Sequence, residues 1–487
     1  MKTMRMCILA ATLMAWMSLA ADGNNFPSAN GIDPLNAVVK INTESYLPNY
    51  FIPWLDHGQS GSSGSGVVIR GNQILTNAHN LVYATYITIS KQSSDDIYEV
   101  KVKAIDHDCD LALLEVKDPS FFSDITPFDI GETPPPQTQV AVAGFPIGGD
   151  GLSITQGIIS RIEIQPYVHS WKYLLAAQLD AAVNPGNSGG PVISSGKVVG
   201  IAFQGNDNGE GLGYMIPSEI IRHFLKDIED GKADGFGVIG FHYASLENED
   251  AREYLKMKKG QTGVRIVRVL KVNKCLLQLD DVLLAVDGVP VANNGNIRTK
   301  TGEARSFVTL VHQKQIGEKV KLTILRSGKE ILVELPVRKI EYQCHGYLYD
   351  QLPDFYITGG FVFTSLSYSF LDEWRKRNPP EELNRKMFQE KETDDQEVIV
   401  LSTVLADRFN RGYQNFRSQI LTKVNGKAVR NLKELISIVE NDKEEYITFF
   451  FGENNTPVTL NRKKMLKQTP VILKRYRVPA DRSKSLE

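Results

Sequence analysis

The sequence predicts a mainly β protein of three domains, and three observations carry that reading. From about residue 35 to about 230, short apolar runs alternate with turn clusters: Ala37–Ile41, Val67–Ile69, Ile87–Ile89, Leu111–Val116, Val140–Ala143 and Val198–Phe203. Runs of this length and spacing read as strands of a β-barrel or sandwich. An apolar strand, an Asp/Asn-Gly turn and a second short strand occur at Val282–Val291 and again, 138 residues later, at Ile420–Val429. Finally, 487 residues with 42% hydrophobic and 23% charged side chains is about three domains' worth of ordinary soluble chain.

The chain opens on a targeting signal. Lys2 and Arg5 supply a short positive region, Cys7–Leu19 an apolar stretch, and Ser18-Leu19-Ala20 a small-residue cleavage site. The stretch is too short to span a bilayer core of about 30 Å comfortably. It reads as a Sec-type signal peptide, residues 1–20; the alternative is an uncleaved anchor. Residues 21–34, polar and rich in Asn and Gly, form a flexible leader. No later segment is long and apolar enough to cross a membrane, so the mature chain should hold no integral membrane segment. Cys7 leaves with the signal. Cys109, Cys275 and Cys344 remain, an odd set spread over three domains that makes no disulfide framework. Cys109 reads as a buried, inert thiol.

The strand-rich region closes on a helix from Pro217 to about Asp230, with Ile220, Ile221, Phe224, Leu225 and Ile228 on one face and Gly231 as its stop. That fits two six-stranded barrels ending in a helix, over residues 35–232. Each later hairpin has the Asp/Asn-Gly turn that suits tight β-hairpins. Each also precedes a helix, at about Glu303–Gln315 and at Leu432–Val439, the latter capped by Asn431 with Glu434 three residues on. Strand, turn, strand, helix is the C-terminal half of a bacterial-type PDZ domain. The domains are placed at 233–340 and 341–477, with a tail at 478–487. The excess length lies in Tyr342–Glu397, whose charged stretch Phe388–Glu397 reads as a surface insertion.

The chemistry-bearing motif is Asn184-Pro185-Gly186-Asn187-Ser188-Gly189-Gly190-Pro191. A serine flanked by glycines on a sharp turn exposes its hydroxyl and leaves backbone N–H groups free, as a nucleophile and its oxyanion hole require. Upstream, Thr76-Asn77-Ala78-His79 closes an apolar run and Asp110 opens another. The order His, Asp, Ser is one of those that build a catalytic triad.

Together with Gly64-Ser65-Gly66-Val67-Val68-Ile69, Asp110–Leu114 and Gly186–Pro191, these motifs resemble the HtrA/Deg family of trypsin-like serine proteases. Gly144–Asp150, Gly200–Gln204, Gln351-Leu352-Pro353, Gly360–Phe363 and Ile472–Arg477 resemble its plant-type members, with one protease and two PDZ domains. The resemblance implies a chymotrypsin-like double β-barrel followed by two PDZ domains, and a triad of His79, Asp110 and Ser188. It implies an oxyanion hole from the N–H groups of Gly186 and Ser188, with Asn187 as a further candidate. Ala182 falls at the base of the primary specificity pocket; with Ile201 and Phe203 as walls, small to medium apolar side chains should fit. Gly237-Val238-Ile239-Gly240-Phe241 resembles a PDZ carboxylate-binding loop, so the first PDZ domain should take peptide C-termini by strand addition. The nearest candidate in the second copy is Gly359–Phe363, and that domain is expected to serve assembly. The family implies a trimer or a pair of trimers, with Tyr46, Tyr50, Phe51 and Trp54 covering a contact surface. Asn80 stands where the wider family often has valine. The targeting signal departs from the plant proteins and indicates an exported bacterial form, periplasmic or secreted.

Other signals are weak. A net charge of −2 gives no reason to expect nucleic acid or a membrane surface as partner. Asp106, Asp108 and Asp110 alternate as in a calcium loop, but Leu111 and Lys117 replace the loop's glycine and closing acid, so no metal or cofactor is expected. The eight histidines show no paired spacing, and all but His79 read as surface or core residues. Gly148–Gly151 lacks the strand-to-helix setting of a phosphate loop. Two functions follow: an ATP-independent endopeptidase acting on misfolded or damaged polypeptides, or a chaperone or peptide-sensing scaffold with latent proteolysis.

Overall fold

The computed structural model describes residues 34–487 apart from 150, 206–212, 272–275, 301 and 375–376. The expected signal peptide, all of the leader but Pro34, and Cys275 lie outside these residues. The first barrel joins β1 (Val38–Pro48), β2 (Asp56–Ile69), β3 (Gln73–Thr76), β4 (Ala84–Lys91), β5 (Ser94–Asp106) and β6 (Leu111–Val116) in the closed order β1-β2-β3-β6-β5-β4. The second joins β7 (Gln139–Gly144), β8 (Ser153–Pro166), β9 (Tyr173–Leu179), β10 (Pro191–Ser194), β11 (Lys197–Gly205) and β12 (Gly213–Pro217) in the order β10-β11-β12-β9-β8-β7. Inward-facing Ile41, Ile74 and Leu113 of the first and Val142, Leu179 and Ile216 of the second belong to one continuous core, so the barrels are fused along their apolar faces. Barrel closure leaves no strand edge unpaired, which fixes the loops between the barrels as the rigid frame of a site.

Helix α1 (Ser218–Asp227) buries Ile220, Ile221 and Phe224, then tightens into a 3₁₀ turn, Ile228–Asp230, that Gly231 ends with φ +88°. Beyond it, β13 (Phe241–Ala244), β14 (Val264–Val269), β15 (Val282–Val286), β16 (Val289–Pro290), β17 (Asn296–Arg298), β18 (Ala304–Ser306), β19 (Lys319–Arg326) and β20 (Lys329–Pro336) follow. They form a main sheet in the order β13-β14-β15-β19-β20 plus the small β17–β18 ribbon. The helix expected over Glu303–Gln315 is only Val308–His312 (α3): Ala304–Ser306 pairs with Asn296–Arg298 as β18 on β17, and that ladder takes the backbone groups a longer helix would need.

The second repeat unit contains β21 (Phe355–Thr358), β22 (Phe361–Ser365), β23 (Ile399–Val404), β24 (Gln419–Val424), β25 (Lys427–Ala428), β26 (Tyr446–Phe451) and β27 (Thr456–Asn461) in the order β21-β22-β23-β24-β26-β27. Its helices are α4 (Tyr368–Asp372), α5 (Glu381–Arg385), α6 (Leu432–Asn441) and α7 (Arg462–Tyr476). The two hairpin turns share their backbone conformation and one hydrogen bond. Asp287-Gly288 and Asn425-Gly426 both take positive φ (47° and 81°, 46° and 79°), the primed turn that matches strand twist. Asp287 N–H donates to Lys321 O at 2.7 Å, and Asn425 N–H to Thr448 O at 2.9 Å. Asn431 Oδ1 caps α6 by accepting from Glu434 N–H at 2.8 Å.

By this alignment β22 corresponds to β13, and β21 is an added strand on the edge that β13 leaves open. Residues of the tail pair in turn with β21: Ile357 N–H donates to Asp481 O at 2.7 Å and Ser483 N–H to Phe355 O at 3.1 Å.

The Tyr342–Glu397 segment is more than a surface insertion. Cys344, Leu366, Phe370, Leu371 and Leu383 form a core with Tyr50, and Phe51 sets its ring edge-on to Phe370 (5.3 Å) and Trp374 (4.8 Å). Trp54 lies on Phe355 at 5.7 Å. Three of the four aromatics expected to form an intersubunit patch are therefore covered by the chain's own C-terminal unit; Tyr46, at 44% exposure, is not. The patch gives no argument for a trimer, because burial within one chain already removes its apolar surface from water.

Candidate active site

β3 ends at Thr76 and delivers His79 on a 3₁₀ turn, Ala78–Leu81, across from the start of β6. Asp110 takes φ +56°, a conformation held because its carbonyl accepts from Asn77 Nδ2 (2.9 Å) and Ala78 N–H (3.2 Å). Its carboxylate accepts from His79 N–H at 2.8 Å through Oδ1 and lies 2.7 Å from His79 Nδ1 through Oδ2. Two contacts to one residue fix the imidazole's position and tautomer: Nδ1 carries the proton, and Nε2 keeps its lone pair. Burial works against charge on His79, but the Asp110 carboxylate, by charge and hydrogen bond, outweighs it and holds the imidazole above its ordinary value. Burial likewise pushes Asp110 up; the charges of His79 and His169 and the His79 hydrogen bonds outweigh that and hold the carboxyl below its usual range.

Ser188 sits on a turn the sequence dictates. Asn187 N–H donates to Asn184 O at 2.9 Å, closing a turn with Pro185 second and Gly186 third at φ +98°, the chemistry of a type II turn. A Cβ on Gly186 would stand 2.5 Å from Phe145 O, so only glycine fits. Ser65, fully buried, ties this turn to the other barrel strands: its Oγ donates to Gly186 O (2.7 Å) and accepts from Phe145 N–H (2.8 Å). The Ser188 carbonyl accepts from Ser65 N–H (2.8 Å) and Asn80 Nδ2 (3.2 Å). Asn80, where the wider family often has valine, thus hydrogen-bonds the nucleophile's own backbone. Ser188 Oγ donates to Phe203 O at 3.4 Å.

Among the described residues the N–H groups of Gly186 and Ser188 donate to no protein acceptor, whereas that of Asn187 is spent on Asn184. Asn187 therefore drops out of the expected oxyanion donors. Ala182 is half-buried, its carbonyl accepting from Thr155 Oγ1 at 3.0 Å. Ile201 and Phe203 differ from expectation: both belong to the barrel core, Ile201 with no exposed surface and Phe203 packed on Tyr167 with ring centroids 4.5 Å apart. Phe203 faces Ser188 through its backbone carbonyl.

The match to known proteins is broad. Residues 64–201 match the model of the trypsin-like peptidase domain and 344–485 that of the PDZ domain. The chain is 37% identical to "Protease Do-like 4, mitochondrial" of Arabidopsis thaliana, over 92% of this chain and 84% of that one. It is 34% identical to "Protease Do-like 2, chloroplastic" of the same plant, over 93% and 75%. The chain belongs to the Do-like (Deg/HtrA) family of serine proteases. Among solved structures, the HtrA-type protease AlgW with decapeptide aligns at TM-score 0.48 and 22% identity, covering 62% of this chain and 95% of that one.

In this Do-like protease the Gly237–Phe241 loop opens a groove of about 200 Å³ between β13 and α3. Phe307, at the start of α3, lies 5.0 Å from Tyr243 at the far end of β13, while His312, at its end, lies 5.8 Å from Phe236, just before the loop. The groove is thus closed by the loop at the His312 end and runs along an open strand edge. Val238 N–H is engaged with Arg338 O at 2.9 Å, and Gly240, at φ +65°, accepts from Leu270 N–H through its carbonyl. In the second unit, Gly359-Gly360 is not such a loop. It is the two-residue turn of the β21–β22 hairpin, pairing Thr358 with Phe361, and β21 fills the edge a peptide would need.

One group beside the triad has no signature in the sequence. His107 Nδ1 and His169 Nε2 lie 2.9 Å apart, His107 Nε2 lies 2.7 Å from Asp350 Oδ2, and the Tyr349 ring stacks on His107 at 4.0 Å and packs tilted against His169 at 4.2 Å. Tyr349 OH donates to His169 O at 2.6 Å, and the His169 ring lies 6.1 Å from that of His79. Burial, with the neighbouring His107 and His79, pushes His169 down to about 4 against the pull of Asp110 and Asp350, so it is neutral at ordinary pH. These residues come from three distant stretches with no motif around any of them; only the fold assembles them.

Proposed function

We propose that this Do-like protease is an ATP-independent serine endopeptidase that degrades misfolded or damaged exported polypeptides through His79, Asp110 and Ser188. The observation that carries the reading is the double contact of Asp110 with His79, which holds the proton on Nδ1 and leaves Nε2 free to act as a base. In the reaction His79 takes the Ser188 proton as Oγ attacks the scissile carbonyl and returns it to the leaving amine, while Asp110 stabilises the imidazolium. The Gly186 and Ser188 N–H groups receive the developing oxyanion. No step calls for a cofactor, metal or nucleotide. The first PDZ domain takes peptide C-termini in its open groove, and the second serves assembly, its own edge being filled by β21. From the family we take the assembly to be a trimer or a pair of trimers. From Lys2, Arg5 and the apolar Cys7–Leu19 stretch we infer export through a Sec-type signal, although the plant relatives are named as mitochondrial and chloroplastic.

One observation favours a second reading, a chaperone or peptide-sensing scaffold with latent proteolysis: Ser188 Oγ donates to the Phe203 carbonyl, which is a resting geometry for a nucleophile. Casein digestion by the mature chain and its Ser188→Ala variant separates the two. The endopeptidase reading requires a loss on the order of 10⁶ in turnover; activity within tenfold of the parent would mean the nucleophile is another residue. A parent that cleaves nothing under any activating condition, while suppressing aggregation, would leave the scaffold reading. N-terminal sequencing of the exported protein should begin at Ala21, and light scattering gives the oligomer.

A further inference from the structure

The net charge of −2 conceals a strongly basic surface element. α7 (Arg462–Tyr476) carries six Lys or Arg and no Asp or Glu over 15 residues. Its apolar side, Met465, Thr469 and Ile472, is buried against the second PDZ domain, so the helix is anchored and its other face is presented to solvent. At about 100° per residue, Lys463, Lys467 and Lys474 fall within about 40° of one line along roughly 16 Å of that face. All three are exposed, as is Lys464. Arg475 pairs with Asp407, and Arg462 is turned onto the carbonyls of Val439 and Glu440. Among the described residues the four lysines make no ion pair. Flanking them are exposed apolar side chains, Leu466 (38%) and Val471 (48%).

We propose that the outer face of α7 docks the protein onto an anionic phospholipid surface. Lysines alone would suit any polyanion, but a nucleic acid or an acidic protein tail would leave Leu466 and Val471 in water. A bilayer's headgroup region takes both kinds of side chain at once, cations at phosphates and Leu and Val at the acyl boundary. The docking is peripheral: among the described residues no helix is long and apolar enough to cross a membrane. Because α7 is clamped by its buried side, binding needs no refolding and holds the second PDZ domain against the lipid.

The test is co-sedimentation of the full mature chain with phosphatidylglycerol–phosphatidylcholine vesicles, against phosphatidylcholine alone, at low and high salt. Binding should require the anionic lipid and fall with ionic strength. The triple variant Lys463→Gln/Lys467→Gln/Lys474→Gln should bind about 100-fold more weakly, about fivefold per lysine. Leu466→Ser/Val471→Ser, which keeps every charge, should also bind measurably more weakly. Unchanged circular dichroism and casein cleavage establish that each variant is folded. Equal binding to both vesicle types, or no loss in the triple variant, overturns the proposal. So does tight binding of a DNA duplex that the Leu466/Val471 variant leaves unchanged. Ser188→Ala protein should bind vesicles like the parent, so failure of the catalytic reading would leave this result standing.

Discussion

Replacing Ser65 with alanine tests whether the nucleophile's turn is held from behind. The Ser65 hydroxyl joins Gly186 O and Phe145 N–H at 2.7 and 2.8 Å in a position with no solvent exposure. Losing it strands a buried acceptor and a buried donor, and each unsatisfied group costs about 1–3 kcal/mol. The space left by one oxygen is smaller than a water needs, so solvent does not repair the loss. The chain has two responses. If the turn stays in place, the protease domain loses about 2–6 kcal/mol, a drop of at least about 4 °C for a domain of this size. If the Gly186–Asn187 peptide rotates to find water, stability is partly recovered and the oxyanion donors move. Removing one such donor costs about 10²–10³ in turnover, which bounds the second response. The assay pairs the thermal midpoint with the second-order rate at which a fluorophosphonate phosphonylates Ser188, fluoride leaving. A variant within 1 °C and threefold of the parent in both would refute the argument that Ser65 supports the site.

Other perturbations read other parts of the structure. Catalysis needs neutral His79, so kcat/KM should rise with pH through an ionisation above the ordinary histidine value, because Asp110 raises it. Asp110→Asn should cut turnover by about 10⁴ and move that acid limb to lower pH; an unmoved limb would mean His79 is not the titrating base. Gly240→Leu forces a bulky side chain into a φ of +65° beside the groove and should abolish binding of a free-carboxylate peptide to the first PDZ domain while casein cleavage of unfolded substrate persists. Isothermal titration decides it, and parental affinity would place the carboxylate elsewhere. Deleting residues 478–487 removes buried Val478 and the backbone bonds to β21, about 3–5 kcal/mol in all. Calorimetry should show the C-terminal transition lowered, and an unchanged profile would mean the tail pairing is dispensable.

The sequence by itself determined what short-range chemistry controls. Alternating apolar runs specified barrel strands, because only a pleat buries every second side chain. The pairs Asp287-Gly288 and Asn425-Gly426 specified two matching hairpins, since few other residues accept consecutive positive φ values. Pro185-Gly186 specified the turn beneath Ser188. The triad could be named from motif order, and so could the glycines around it. The reason Gly189 must be glycine, however, lies 124 residues away: a Cβ there would meet Ser65 O at 2.1 Å. Where sequence reasoning failed, a competing partner had won. Ala304–Ser306 left its expected helix for a strand partner, and Asn187 spent its amide on a local turn. Ile201 and Phe203 went to the core because the barrel closes over them. Tyr50, Phe51 and Trp54 looked like an exposed patch until the C-terminal unit covered them. The tertiary structure alone brought His107, His169, Tyr349 and Asp350 beside the triad. Such contacts join segments up to 243 residues apart, and no local spacing encodes them, because they exist only once separate units have packed.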